Sequence, residues 1–340
     1  MRGTYFLGNG AFETRDMPEH PLAPHEVLIQ VAACGVCGTD VHIYHGDKGS
    51  AEVTPPVVLG HELSGTVAAV GAAVKTLHVG DHVAVDPNCY CGECHYCRRG
   101  KKQLCTNLHA IGVNENGGFA DFCYAPEAQC FLLDPELPLE YGAMAEPLAC
   151  CLHGIDLAGI QVGDKVCVVG GGAIGLLMVQ LAKLSGASQI VLSEPNEKRR
   201  QVGLQLGANT ALDPTRPDAQ EAFAQVLDGG ANVVIECVGN VPAVKSAFQF
   251  AGKGATVLLF SVPKVDATFD LPLFDVYKKE LTIKGSFVNP DTHARAVALI
   301  NSGKVDFGPI ITHRFTLDQL PEAIAMQMSD ASIKVVVEAQ

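Results

Sequence analysis

The run Cys37-Gly38-Thr39-Asp40-Val41-His42 packs a thiol, a hydroxyl, a carboxylate and an imidazole into a few residues. A second chemical pair, His61-Glu62, follows Gly60 just after the apolar stretch Val57–Leu59. Cys37, His61 and Glu62 together offer one sulfur, one nitrogen and one oxygen. That is the donor set of an open zinc site, which leaves a position for substrate. Spacing alone keeps another reading open, because a Cys and a His this far apart also occur as core residues. The stretch Cys91-Gly92-Glu93-Cys94-His95-Tyr96-Cys97, with Cys105 beyond it, is more specific. Three cysteines at every third position and a fourth further on can wrap one ion tetrahedrally, and such a closed Cys₄ site is structural. Disulfides are the alternative; regular spacing in a reducing compartment favours the metal. Cys89 lies outside the pattern. Cys34, Cys123, Cys130, Cys150, Cys151, Cys167 and Cys237 read as small buried apolar residues.

The elements that must position a cofactor centre on Lys165–Glu194. Lys165–Val169 is a Val-rich run bounded by the turn pair Gly163-Asp164, and it predicts a buried strand. Gly170, Gly172 and Gly175 then supply G-x-G-x-x-G. The first Gly permits a tight turn, the second lets backbone approach a pyrophosphate, and the third lets helix pack on strand. Ala173 and Ile174 open the following helix, whose free N–H groups and dipole face the phosphates. Gln189–Ser193 is the next strand, and Glu194 after it is placed to accept hydrogen bonds from a ribose 2′-OH. An acid there repels a 2′-phosphate and argues for NAD over NADP. Lys198, Arg199 and Arg200 stand close by, with Arg199 a candidate cofactor contact and solvated first-turn charges as the other reading. Further strands are predicted at Thr210–Leu212, Asn232–Cys237, Ala255–Phe260 and Leu281–Lys284. Six strands alternating with helices make a doubly wound parallel sheet that takes its ligand at the C-terminal strand ends. Val238, Ser261 and Val262 fall at two such ends and are expected to touch ribose and nicotinamide.

The rest of the chain fits around these parts. His25–Ala33 predicts a strand, with Pro18, Pro21 and Pro24 marking the loop before it. Gly117-Gly118-Phe119-Ala120 predicts a turn entering a strand. Met144-Ala145-Glu146-Pro147-Leu148 sets a carboxylate beside a Pro, and a helix over Leu148–Ala158 bridges into the nucleotide-binding part. Helices at Thr292–Asn301 and Leu317–Ser329 and a strand at Ile333–Val337 close the chain. A length of 340 residues holds about two domains. The net charge of −13 makes nucleic acid and anionic membrane surfaces poor partners. Val166–Ala182 is uncharged, but its glycines and its fit to the nucleotide motif favour a buried strand and helix over a membrane span. The first sixteen residues lack a signal-peptide apolar core, and the 13 cysteines with their metal spacing suit a cytoplasmic setting.

Taken in order, C-G-x-C-G-T-D-x-H, G-H-E, the Cys₄ run, G-G-F, A-E-P-L-A and G-x-G-x-x-G resemble the zinc-dependent medium-chain alcohol dehydrogenases nearly end to end. The match is strongest to the sorbitol-type polyol branch and its threonine and butanediol relatives. The resemblance implies an α/β chain: a GroES-like β catalytic domain over residues 1–150 and 287–340, and a Rossmann domain over 151–286. It implies a catalytic zinc on Cys37, His61 and Glu62, with Glu146 facing the metal directly or through water. It places a structural zinc on Cys91, Cys94, Cys97 and Cys105. It makes Asp40 the acid that orients His61, and Thr39 and His42 a proton relay. It also implies a homo-oligomer, dimer or tetramer, paired through an edge of the nucleotide-binding sheet.

For the reaction, the resemblance implies oxidation of an alcohol with hydride transfer to NAD. Tyr44 and Phe119 are candidate substrate-lining residues, with structural packing as the other reading. The better-known sorbitol enzymes carry an Arg-Tyr pair where this chain has Gly285-Ser286-Phe287-Val288-Asn289. That departure points away from sorbitol toward another pentitol, hexitol or sugar acid. L-Threonine and 2,3-butanediol stay open, threonine less favoured for want of an Arg near the site; Arg295 falls on a predicted helix. Zinc-free reductases and non-catalytic binding proteins of the same fold lack the ligands at Cys37, His61 and the Cys₄ run, all present here.

Overall fold

The computed structural model describes residues 1–46 and 53–339, which fall into two compact units. One comprises Met1–Ala149 with the segment from Asn289 to the C-terminus, and the other Cys150–Val288.

The first unit is β-rich. It opens on a hairpin, β1 (Arg2–Gly8) and β2 (Ala11–Asp16). Then come β3 (Glu26–Gly35), β4 (Val57–Val58), β5 (Glu62–Val70) and β6 (His82–Val85). β7 (Asn88–Cys89), β8 (His109–Ala110), β9 (Phe122–Pro126) and β10 (Cys130–Leu132) follow. β3 is the spine. Val27, Ile29, Val31 and Ala33 alternate into the core, the period-two pattern of a strand with one buried face. β3 pairs antiparallel with both β5 and β9. It reaches further than the His25–Ala33 expectation, to Gly35, and so delivers its end directly to Cys37.

The second unit holds six parallel strands: β11 (Lys165–Val169), β12 (Gln189–Ser193), β13 (Thr210–Leu212), β14 (Ala231–Glu236), β15 (Ala251–Leu259) and β16 (Thr282–Gly285). Their order is β13-β12-β11-β14-β15-β16. The direction of winding reverses between β11 and β14, which is where such sheets bind dinucleotides. β11, β12 and β13 match their sequence-predicted bounds. β15 starts earlier than Ala255, because helix Val241–Phe250 runs straight into it and a register irregularity against β14 extends the pairing back to Ala251.

From Asn289 the chain rejoins the first unit. β17 (Ile311–Thr316) and β18 (Lys334–Glu338) are parallel to each other, and β18 is antiparallel to β3. The helix expected over Leu317–Ser329 is shorter, Leu320–Gln327, behind a 3₁₀ turn at Leu317–Gln319 in which Thr316 and Gln319 form a capping box. A buried polar network that sequence reading does not reveal anchors the return. The Asn88 side chain donates to Asn289 Oδ1 at 2.5 Å, Asn289 Nδ2 donates to Asp86 Oδ1 at 3.3 Å, and the same nitrogen lies 3.5 Å from His293 Nδ1. The Thr292 hydroxyl donates to the Ala149 carbonyl at 2.7 Å.

Candidate active site and metal centres

Cys37 is the N-cap of helix Gly38–Tyr44. The capping acid three residues on is Asp40, whose Oδ2 accepts the Cys37 N–H at 2.8 Å, as in a capping box. The other oxygen, Oδ1, faces His61 Nδ1 at 3.6 Å. One fully buried carboxylate therefore orients the thiol-bearing turn and the imidazole together. Burial raises the Asp40 pKa, against lowering by His61 and the Cys37 N–H. Burial also pulls His61 down, yet Asp40 and Cys37 outweigh it and leave the imidazole well above its usual value.

His61 and Glu62 sit where the chain enters β5. Gly60 has φ +97°, a left-handed turn that favours glycine. The G-G-F segment lies against this turn: Gly118 donates its N–H to the Gly60 carbonyl at 2.7 Å, and a Cβ on Gly60 would reach 2.9 Å from Phe119. Phe119 has no exposed surface, so it supports the His61 turn from behind. Of the two readings open for Phe119, substrate lining and structural packing, its burial beneath the turn favours packing.

The Cys37 sulfur, a His61 ring nitrogen and a Glu62 carboxylate oxygen all lie within 4.8 Å of one another. Asp40 Oδ1 and His61 Nδ1 are buried and have no hydrogen-bond partner within 3.5 Å. A cation on the opposite ring nitrogen would polarise Nδ1–H toward that carboxylate, the usual support of a metal-bound histidine. The residues fit a zinc ion. Glu146, buried at the start of helix Ala145–Ala158, adds negative charge at His61. Thr39 and His42, both half-buried, share helix Gly38–Tyr44 with Asp40. Tyr44 stacks on Phe12 with ring centroids 6.1 Å apart, which places it against the β1–β2 hairpin.

Lys334 was missed in the sequence. It comes from β18, is buried, and ion-pairs with Glu62. A lysine inside a Val-rich run gives no local hint of its partner; only the pairing of β18 with β3 supplies it.

Cys91, Cys94, Cys97 and Cys105 gather in a separate cluster, also within 4.8 Å of one another. Backbone N–H groups of Cys91, Cys94 and Cys97 each point at a cysteine sulfur of the set at 3.4 Å. Hydrogen bonds from the Cys97 and Thr106 N–H groups bring the Cys94 thiol down to about 5, which favours the thiolate a zinc site needs. All thirteen cysteines are free thiols, so the disulfide alternative is not realised. Cys34, Cys123, Cys151 and Cys167 are buried as read; Cys130, Cys150 and Cys237 are only half-buried.

In the second unit the glycine turn runs from β11 into helix Ala173–Leu184, which Gly172 caps. A Cβ on Gly175 would collide with the Gly170 carbonyl, whereas one on Gly172 would meet nothing within 4 Å. Close packing and open backbone thus fall where a pyrophosphate cradle needs them, with Ala173, Ile174 and Gly175 in the first helical turn. Glu194 accepts N–H groups from Gly171 at 2.6 Å and Asn196 at 2.8 Å, and is buried. Gly171, between the first two motif glycines, is also constrained, because a Cβ there would approach Glu194 Cγ to 2.8 Å. Arg199 is half-buried on helix Glu197–Leu206. Arg200 is not a solvated charge: it donates to the Glu194 and Pro195 carbonyls at 2.9 and 2.6 Å.

Val238 and Val262 are exposed at the ends of β14 and β15, as open ligand contacts would be. Ser261 is different, since its hydroxyl is given to Glu236 Oε2. Glu236 Oε1 accepts the N–H groups of Val238 and Gly239 at 2.7 and 2.9 Å. This buried acid ties both strand-end loops together, a role for which E-C-V-G in sequence carries no signal.

A dinucleotide turn on a doubly wound sheet, a Cys-His-Glu cluster and a Cys₄ cluster define a zinc-dependent dehydrogenase. Known proteins bear this out. Residues 23–135 match the family model "Alcohol dehydrogenase GroES-like domain" and residues 173–302 match "Zinc-binding dehydrogenase". The chain is 34% identical over 331 residues to the L-threonine 3-dehydrogenase of Bacillus licheniformis, covering 96% of this chain and 94% of that one. It is 34% identical to the sorbitol dehydrogenase of Halalkalibacterium halodurans, covering 97% and 96%. Among solved structures it is similar to a candidate zinc-binding dehydrogenase from Sinorhizobium meliloti 1021 bound to NADP (TM-score 0.95, 39% identity, 99% and 98% coverage). The 2R,3R-butanediol dehydrogenase of Bacillus subtilis is another such structure (TM-score 0.90, 28% identity, 100% and 99% coverage). The chain belongs to the zinc-dependent medium-chain alcohol dehydrogenase family. It is an oxidoreductase that works with zinc and NAD. No helix among the described residues is long and apolar enough to cross a membrane.

Proposed function

We propose that this protein oxidises a secondary hydroxyl of a pentitol or hexitol to the ketose, passing the hydride to NAD. Residues 1–150 and 287–340 form the catalytic domain in this reading, and 151–286 the dinucleotide domain. The observation that carries it is the convergence of Cys37, His61 and Glu62, with Asp40 behind the imidazole. Cys37, His61 and Glu62 hold the catalytic zinc, with Glu146 beside them, and Cys91, Cys94, Cys97 and Cys105 hold the structural one. When bound, zinc supplies Lewis acidity toward the alcohol and the nicotinamide accepts the hydride.

The chain's own groups do the remaining work. Asp40, 3.6 Å from His61 Nδ1, favours the proton on that nitrogen and so leaves Nε2 for the metal. The Thr39 hydroxyl accepts the alcohol proton and passes one on, and His42 carries it toward solvent. The glycine turn, Glu194 and Arg199 hold the dinucleotide, and Glu236 fixes the loops carrying Val238, Ser261 and Val262. The acids at Glu62 and Glu146 make the substrate position polar, which suits a chain of several hydroxyls, with Tyr44 at its edge. L-Threonine is the second reading, favoured by the threonine dehydrogenases among the relatives.

Cys37→Ser tests the core of this proposal. Zinc per chain should fall from about two to about one, turnover should vanish, and NAD should still bind. Normal turnover in that variant after metal stripping sinks the proposal. A panel of pentitols, hexitols, sugar acids and L-threonine, read by NADH absorbance, selects the substrate.

We also infer a cytoplasmic homo-oligomer. The thirteen free thiols suit a reducing compartment. Helix Leu273–Lys279, which leads into the edge strand β16, leaves Leu273, Phe274 and Tyr277 at 73%, 68% and 79% exposure. Exposed apolar clusters of this kind mark association surfaces.

A further inference from the structure

Lys334 is a cation inserted behind a candidate metal ligand. Its ammonium donates to the Val36 carbonyl at 3.0 Å and to Glu62 Oε2. The two side chains are 5% and 2% exposed, so water does not screen the pair. The fold makes room for it deliberately. A Cβ on Gly35 would overlap Glu62 Oε2 and stand 2.9 Å from the Lys334 Cε, so any side chain at that point of β3 would displace the pair. The register is equally specific: Val336 lies opposite Gly35, and the Val36 N–H bonds to the Val335 carbonyl at 2.9 Å. The C-terminal strand is thereby zipped alongside the turn that presents Cys37.

A carboxylate oxygen already bonded to an ammonium is a poorer metal donor, and a fixed positive charge beside the site repels a divalent cation. An uncompensated carboxylate in the same buried place would instead seek the ion. We propose that Lys334 is a positioning residue that shares the Glu62 carboxylate with the zinc, weakening that ligand's bond to the ion and keeping a coordination position available to the alcohol. The proposal rests on Cys37, His61 and Glu62 being the zinc site.

The test uses the full-length, zinc-loaded protein, equilibrated with graded chelator at one fixed pH, with retained zinc counted by atomic emission. Lys334→Met removes the charge at similar length, and Lys334→Arg keeps it. The Met variant should hold its Cys37-site zinc up to chelator concentrations at least tenfold higher than wild type, with the Arg variant near wild type. Release from the Met variant at the same or a lower concentration than wild type overturns the proposal, because a lysine that only packs would give that result. If Lys334→Met does not fold, Lys334→Leu replaces it with the same expectation, since it too removes both the charge and the hydrogen bond to Glu62. Cys37→Ser, measured in parallel, should carry one zinc fewer per chain. If it carries as many as wild type, the zinc-site reading itself fails, whatever Lys334 does.

Discussion

The pair His293 and Asp86 yields a prediction with an unusual sign. Burial alone lowers the His293 pKa from 6.5 to about 3. Burial raises Asp86 from 3.8 to about 6, against hydrogen bonds from Asn88 and Asn289 that lower it. A depressed folded pKa means the unfolded chain takes the proton first. The His293 contribution is therefore present above pH 6.5 and is lost as pH falls toward 3. A raised folded pKa means the folded chain holds the proton more firmly. The Asp86 contribution is present below pH 3.8 and is lost as pH rises through 6. Between those limits the trends oppose, each at about 1.4 kcal/mol per pH unit, or about 3 kcal/mol across the window. In the native protein they nearly cancel, because both groups are neutral when folded and both are charged when unfolded. Single substitutions unmask them. His293→Phe keeps the ring against Phe131, and Asp86→Asn keeps an acceptor for the Asn88 N–H. Urea unfolding of the zinc-loaded proteins at steps from pH 4.5 to 7 gives the stability difference between each variant and wild type. Titration of the metal ligands is common to all and drops out of the difference. The His293→Phe difference should grow in the variant's favour as pH falls, and the Asp86→Asn difference as pH rises. Two flat curves, or two slopes of one sign, refute the reasoning.

Two predictions concern the cofactor. Gly175→Ala drives a Cβ into the Gly170 carbonyl and should weaken NADH binding at least tenfold, about 1.4 kcal/mol, in a fluorescence titration; unchanged affinity would show that the turn has slack. Glu194→Ser removes a carboxylate fixed by the Gly171 and Asn196 N–H groups, and should shift the ratio of kcat/KM for NAD over NADP toward NADP by tenfold or more; an unchanged ratio would move cofactor selection elsewhere.

Residues whose partners are close in sequence were legible without a structure. G-x-G-x-x-G with its flanking strands fixed the nucleotide turn, since chain connectivity and sterics over those residues leave few conformations. The four clustered cysteines announced their site by spacing alone. Cys37 and His61 were less specific: twenty-odd residues separate them, so their donor types suggested a zinc site while spacing left buried core residues equally open. Phe119 was left between substrate lining and structural packing, because burial depends on what packs from the other side. Glu236 and Lys334 gave no signal, one gathering loops from two strand ends, the other reaching Glu62 across most of the chain. Sequence determined the local chemistry: which donors, which turn, which cofactor class. Only tertiary structure decided the electrostatic company those donors keep, because strand pairing over hundreds of residues, and the loss of water that follows, is set by the fold as a whole.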